Sequence, residues 1–223
     1  FTIKAFNLAD RYQLPVILLT EQDYGQNYRT VKNFDYSKIH IDRGKMLSQK
    51  ELLSMNDYQR YEFVRDGISP RALPSMKNGI HMVESNEHDV RGYRDESSHN
   101  RKMMMEKRMK KLESARKDLI RPKIWGKRTA DIGIIGCGST LGPIQEAVKQ
   151  LFDSGIETKY MQIRTLWPFL HTEVENFING CERIYVVDNN FEGQLKHLIM
   201  SQVNHKDKME SILNYSGQTI DRK

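Results

Sequence analysis

From residue 130 onward the chain alternates short apolar runs with amphipathic stretches, and that alternation limits it to one class of fold. Asp131-Ile132-Gly133-Ile134-Ile135-Gly136, Thr158 to Ile163 and Arg183-Ile184-Tyr185-Val186-Val187-Asp188 are short enough for strands and apolar enough on both faces to be buried. Between and after them lie three helical patterns. Ile144, Ala147, Val148, Leu151 and Phe152 share one face behind Pro143, and Gly155 stops that helix. Thr172 to Ile178 gives a short helix, and Leu195, Leu198, Ile199 and Val203 mark a third. Strands alternating with helices at this spacing predict a parallel sheet with right-handed crossovers and helices on both faces. Residues 123–223 are therefore expected to form one small three-layer α/β domain.

The first 122 residues read differently. Ile3, Phe6, Leu8 and Ala9 fall close to helical spacing within 2–13, and the branched run Leu14-Pro15-Val16-Ile17-Leu18-Leu19 suits a buried parallel strand. Residues 20–97 carry Gly25, Gly44, Gly67, Pro70, Pro74, Gly79 and Gly92 without strong periodicity. So long a stretch is expected to be a structured excursion wrapping a neighbouring surface, with short pieces of structure around 48–56 and 79–83. Residues 98–119 predict a helix, capped by Ser97 or Ser98 and ended by Pro122, with Met105, Met109, Leu112, Arg116 and Leu119 on its apolar stripe.

Charge is local. Residues 91–128 hold 14 Lys/Arg against five Asp/Glu, a net +9, whereas the whole chain is +6, which leaves −3 for everything else. The basic run at 101–117 has no interleaved aromatics and no recognition motif, which argues for a solvated or partner-facing helix over nucleic-acid binding. Met103-Met104-Met105 and Met109 suggest adaptable contacts with another domain or subunit. No apolar run reaches the roughly 20 residues that cross a bilayer. The two cysteines, Cys137 and Cys181, read as cytoplasmic thiols, and two ligands cannot hold an iron–sulfur cluster alone. The chain begins at Phe1, and the expectation is a start inside a larger polypeptide.

Three groups of residues could carry binding. The Gly136-Cys137-Gly138-Ser139-Thr140-Leu141-Gly142 turn joins a strand to a helix, where backbone N–H groups could hold an anion. Its spacing is neither the dinucleotide fingerprint nor a P-loop, and the competing reading is a tight turn whose glycines let strand and helix pack. Glu87-His88-Asp89, with His81 and His99 nearby in sequence, could bind a metal or move a proton, but lacks two-part zinc spacing; a structural or interfacial role is favoured. Asp188-Asn189-Asn190 follows a strand, where ligands of such sheets sit, and could share an edge with Gly136 to Thr140 or cap the next helix.

Seven segments in order resemble one family. They are Tyr12-Gln13-Leu14-Pro15-Val16-Ile17, Gly67-Ile68-Ser69-Pro70-Arg71, Glu87-His88-Asp89, Lys107-Arg108-Met109-Lys110-Lys111-Leu112, Gly138-Ser139-Thr140, Trp167-Pro168-Phe169 and Asn190-Phe191-Glu192-Gly193-Gln194-Leu195. Together they resemble the alpha subunit of 2-oxoacid:ferredoxin oxidoreductases, in its C-terminal portion, of the 2-oxoglutarate type with a fused gamma domain. The chain departs from that pattern at Leu170, Asp188, Val90 and Ser75, where the family usually has Pro, Glu, an acid and Gly.

The resemblance implies an α/β chain in three parts. Residues 1–20 would be the end of a thiamine-diphosphate pyrimidine-binding domain, 21–122 a connecting segment ending in a basic helix, and 123–223 a transketolase C-terminal-like domain. It implies oxidative decarboxylation of a 2-oxoacid to an acyl-CoA by the full cytoplasmic enzyme, with a beta subunit and ferredoxin as partners. Thiamine diphosphate, magnesium and an iron–sulfur cluster would serve the full complex, and none would be bound wholly by this stretch. The carboxylate that activates the thiamine ring and the substrate-binding Arg would lie upstream of Phe1. This stretch would then have no catalytic or metal residue and would mainly support assembly. Gly136, Gly138, Ser139 and Thr140 remain candidates for an anion or interface, and Glu87, His88, Asp89, Arg71, Asn190 and Gln194 for interface or structure. The alternative is a stand-alone anion- or nucleotide-binding or docking module without catalysis, with neither nucleic acid nor membrane as partner.

Overall fold

The computed structural model describes residues 1–127, 129–204, 206–218 and 220. Two units emerge, residues 1–18 with 32–118, and residues 19–31 with 119–223.

The second unit is built on a five-stranded sheet of order β1-β3-β2-β4-β5, with β1 Lys123–Gly126, β2 Ile132–Cys137, β3 Thr158–Ile163, β4 Arg183–Asp188 and β5 Met209–Leu213. β2, β3, β4 and β5 pair in parallel, and β1 runs antiparallel to β3. Successive residues of a strand point to opposite faces, and the core divides accordingly. Ile135, Met161, Ile184 and Val186 face helices α6 (His171–Asn179) and α7 (Gln194–Gln202), where Val174, Phe177, Ile178, Leu195 and Ile199 meet them. Ile134, Tyr160 and Val187 face α5 (Leu141–Asp153) through Ile144, with Leu141, Val148 and Leu151 at its margin. The result is the expected three layers. Trp125 lies opposite Tyr160 in the β1–β3 register and stacks on it at 5.3 Å between ring centroids, a cross-strand pair that fastens the edge strand. The edge strands β1 and β5 were not expected from sequence.

The first unit has little regular structure. Helix α1 (Thr2–Tyr12) packs on α4 (Ser98–Ala115), with Tyr12, Ile68 and Ala115 buried between them and Leu8 and Leu14 alongside. The Tyr12 hydroxyl bonds to the Ser114 carbonyl and the Asp118 carboxylate. Ser97 caps α4 by accepting from Asn100 N–H at 3.3 Å, and a short 3-10 turn, Arg116–Asp118, follows it before Pro122. Helix α3 (Gln49–Ser54), with a Ser48/Glu51 capping box, meets the expectation near 48–56. Residues 79–83 form no helix or paired strand.

Two expectations fail. Residues 14–19 form no strand, and Ile17 and Leu19 are 81% and 69% exposed. A strand's amides need a neighbouring strand, and none of the described strands pairs with this run. The apolar stripe of α4 is also displaced. Met105 and Met109 are exposed, while Asn100, Met104 and Ala115 are buried. That face is set by the chain that passes over it at Gly67, not by hydrophobicity alone.

Candidate functional site

Chain order in the sheet reverses at β2. From β2 the chain runs through α5 to β3 on one side, then returns through α6 to β4 on the other. Such a switch point opens a crevice beyond the carboxyl ends of the strands. The turn after β2 and the turn after β4 meet there: Asn189 Nδ2 donates to Ser139 Oγ at 3.1 Å. The structure thus puts Gly136 to Thr140 and Asp188 to Asn190 on one edge.

The turn is filled from within the same unit. Helix α2 (Gln22–Gln26) begins after Glu21, whose carboxylate accepts from Ser139 N–H at 3.1 Å and bonds to the Ser139 hydroxyl. Tyr24 OH donates to Gly138 O at 2.5 Å. Gly138 has φ +59°, and a Cβ there would collide with the Glu21 carboxylate. Gly136 has no room for a Cβ because Thr140 Oγ1 and Ile144 stand against it. The turn is therefore an oxyanion-type cradle whose occupant is a side chain of the same polypeptide. The irregular 20–97 stretch gave no sign of Glu21 or Tyr24 as its partners; one acid and one Tyr carry no periodic signal.

The neighbouring groups are structural in geometry. Asp188 Oδ2 accepts from Leu195 N–H at 2.8 Å, and Asn190 Oδ1 accepts from Gly193 and Gln194 N–H at 2.7 and 3.1 Å. Both carboxamide and carboxylate thus serve the start of α7. Cys137 is half-buried at the end of β2. Burial first, then the Asp188 and Glu21 carboxylates, push its thiol up to about 12, so it stays protonated.

In the first unit Glu87 joins the 84–95 loop to α4. Its side chain is 8% exposed and is gripped by Arg108 at 2.5 Å and Arg101 at 2.6 Å. The hydrogen bond from Arg108, then that from Arg101, outweighs burial and holds the carboxyl down at about 2. His88 Nδ1 contacts Asp89 O at 2.9 Å and its ring lies 4.0 Å from that of Tyr61. Asp89 Oδ1 accepts from Arg91 and Tyr93 N–H, folding the loop on itself. Arg71 pairs with Asp10 at 2.9 Å and donates to Arg43 O. The His81 ring nitrogen meets Gly79 O, not this group, and His99 is exposed.

Among the described residues no three His, Cys, Asp or Glu side chains gather where they could hold a metal ion. The residues present offer no ligand set for magnesium, an iron–sulfur cluster or thiamine diphosphate, and no chemical step is assigned to this chain through them. Among the described residues no helix is long and apolar enough to cross a membrane.

Residues 130–223 match the family model for pyruvate:ferredoxin oxidoreductase core domain II. Subunit alpha of 2-oxoacid:ferredoxin oxidoreductase 2 from Aeropyrum pernix is 34% identical over 98% of this chain and 34% of its own length. The 2-oxoglutarate synthase subunit KorA of Methanothermobacter marburgensis is 25% identical over 98% of this chain and 56% of its own. Among solved structures, 2-oxoglutarate:ferredoxin oxidoreductase from Magnetococcus marinus, with 2-oxoglutarate, coenzyme A and succinyl-CoA bound, matches with a TM-score of 0.84 and 31% identity over 93% of this chain and 36% of that one. The chain spans about a third of the length of the alpha subunits it matches. By sequence and by fold, it belongs to the family of 2-oxoacid:ferredoxin oxidoreductase alpha subunits.

Proposed function

We propose that this chain is the supporting part of an enzyme that oxidatively decarboxylates a 2-oxoacid, 2-oxoglutarate in the first instance, to its acyl-CoA and passes the electrons to ferredoxin. The observation that carries this reading is the 0.84 TM-score at 31% identity, which extends over 93% of the chain and so over most of both its units. In the whole cytoplasmic enzyme a beta subunit completes the assembly, and thiamine diphosphate, magnesium and an iron–sulfur cluster supply carbanion and electron-transfer chemistry. This chain's own residues hold the frame. Glu21 and Tyr24 fasten the 19–31 segment to the turn after β2, and Glu87 fastens the 84–95 loop to α4. The domain reading, with 1–20 ending a pyrimidine domain and 123–223 as the transketolase C-terminal-like part, belongs to this proposal. So do the structural roles of Arg71, His88, Asp89, Asn190 and Gln194.

The test uses the full-length alpha chain with its partner subunit, coenzyme A and a viologen acceptor. Viologen reduction that requires coenzyme A and prefers 2-oxoglutarate to pyruvate is expected. Absence of reduction with every 2-oxoacid tried would overturn the proposal.

A second reading is favoured by the Ser139 N–H that already holds a carboxylate. An external phosphate could take the place of Glu21 at Gly136, Gly138, Ser139 and Thr140. Saturable phosphate binding by Glu21→Ala, but not by the unaltered chain, is its expected outcome in calorimetry.

A further inference from the structure

Helix α4 turns two lysines, not two apolar side chains, toward the chain that covers it. Lys107 and Lys111 are four residues apart and so lie one above the other on a single face. Both are half-buried, unlike the exposed Lys102 and Lys110. The covering chain is tight: a Cβ on Gly67, whose φ is +75°, would stand 2.6 Å from Lys107 O and 2.9 Å from Lys111 N. In that same chain the Tyr61 ring receives the Arg60 guanidinium at 5.0 Å and the Lys107 ammonium at 5.8 Å from its centroid. Lys111 Nζ donates to Gln13 O at 3.3 Å.

Four cations thus share one patch, and their counter-charges do not match. Arg108 is taken by Glu87. Arg60, Lys107 and Lys111 have no carboxylate within 4.0 Å among the described residues, and the acid that acts on Lys107, Glu62, is exposed. Burial, then repulsion from Lys111, Arg60 and Arg108, pushes Lys107 down to about 8; burial, then Arg60 and Arg108, push Lys111 down as well. A solvated basic face spreads its charges apart, whereas this one crowds them around an aromatic ring.

We propose that Arg60, Lys107 and Lys111, with Tyr61 as their platform, form a binding site for a multivalent phosphate anion of the diphosphate type. A single carboxylate would leave two of the three cations uncompensated. A diphosphate carries several negative charges and has oxygens at both ends, so it reaches donors set one helical turn apart. The inference stands on this patch alone and does not depend on the proposed activity.

The test is competitive labelling of lysines on the intact chain, read by mass spectrometry across a pH series, with inorganic pyrophosphate, ADP, or chloride at matched ionic strength. Pyrophosphate or ADP should protect Lys107 and Lys111 selectively and move the Lys107 midpoint upward, because a bound anion favours the ammonium. ADP stronger than pyrophosphate names a nucleotide-type ligand; the reverse names the free anion. Lys107→Gln/Lys111→Gln should weaken binding by roughly tenfold or more, the loss of one charge-assisted contact, while Lys107→Arg/Lys111→Arg retains it. Equal protection of Lys110, protection by chloride alone, or stronger protection by a glutamate-rich peptide would each overturn the assignment.

Discussion

Glu87 is one carboxylate asked to hold two guanidiniums on one side and a loop on the other. Removing its charge leaves Arg108 and Arg101 facing each other without compensation. Glu87→Gln should therefore cost about 3 kcal/mol, in the range for breaking a mostly buried pair, measured by urea unfolding at neutral pH. The pH dependence has a definite sign. The folded-state value is about 2 against a usual 4.5, so the unfolded chain binds the proton more readily. Stability from this group is complete above about 4.5 and is lost as pH falls from there toward 2. Glu87→Gln should flatten the acid limb of a stability–pH curve. Lys107 works at the other end. Its folded value, about 8, lies below the ordinary 10.5. The unfolded chain binds more protons between those values, so this group makes stability rise with pH across about 8 to 10.5. Lys107→Met should remove that rise.

At the scale of elements, the run at 14–19 and strand β2 are similar in sequence and opposite in environment. Ile17 is 81% exposed, whereas Ile135 is fully buried between β3 and β4. Amide exchange should be rapid at 14–19 and slow at 132–137, and equal protection would contradict the structure. The contrast also explains what could be read in advance. Strands β3 and β4 were legible residue for residue because both of their faces are buried, which leaves an unbroken apolar run. The edge strands β1 and β5 were not legible, since Lys123-Ile124-Trp125-Gly126 and Met209-Glu210-Ser211-Ile212-Leu213 are mostly exposed and carry no such run. Residues 14–19 carry the run and lack the neighbour, and periodicity reports only the former. The switch-point edge was legible as strand ends followed by Gly-Ser-Thr and Asp-Asn-Asn. Its occupant was not, because Glu21 is more than a hundred residues away in sequence and its role is set by tertiary folding. Gly138→Ala tests that contact. The added methyl collides with Glu21 at a left-handed φ, so amide protection should fall across 19–31 while the sheet stays protected.

For the whole molecule, the three-layer sheet and the irregular, ion-paired unit have different sources of stability. The sheet rests on two apolar clusters, one per face. The other unit rests on a small core of Tyr12, Ile68 and Ala115 and on pairs such as Asp10 with Arg71 and Arg43. Much of that unit's apolar surface, including Ile17, Leu19, Ile80 and Val83, faces outward, as befits a part made to lie against others. The described residues present a frame, two fastened loops and a basic patch, with no group of metal ligands. The measurement that tests this most directly compares 2-oxoglutarate-dependent viologen reduction by this 223-residue chain alone with that of the full alpha chain joined to its partner subunit, both given thiamine diphosphate, magnesium and coenzyme A. Turnover in the assembly and none in the isolated chain is the predicted result; turnover by the isolated chain would contradict the account.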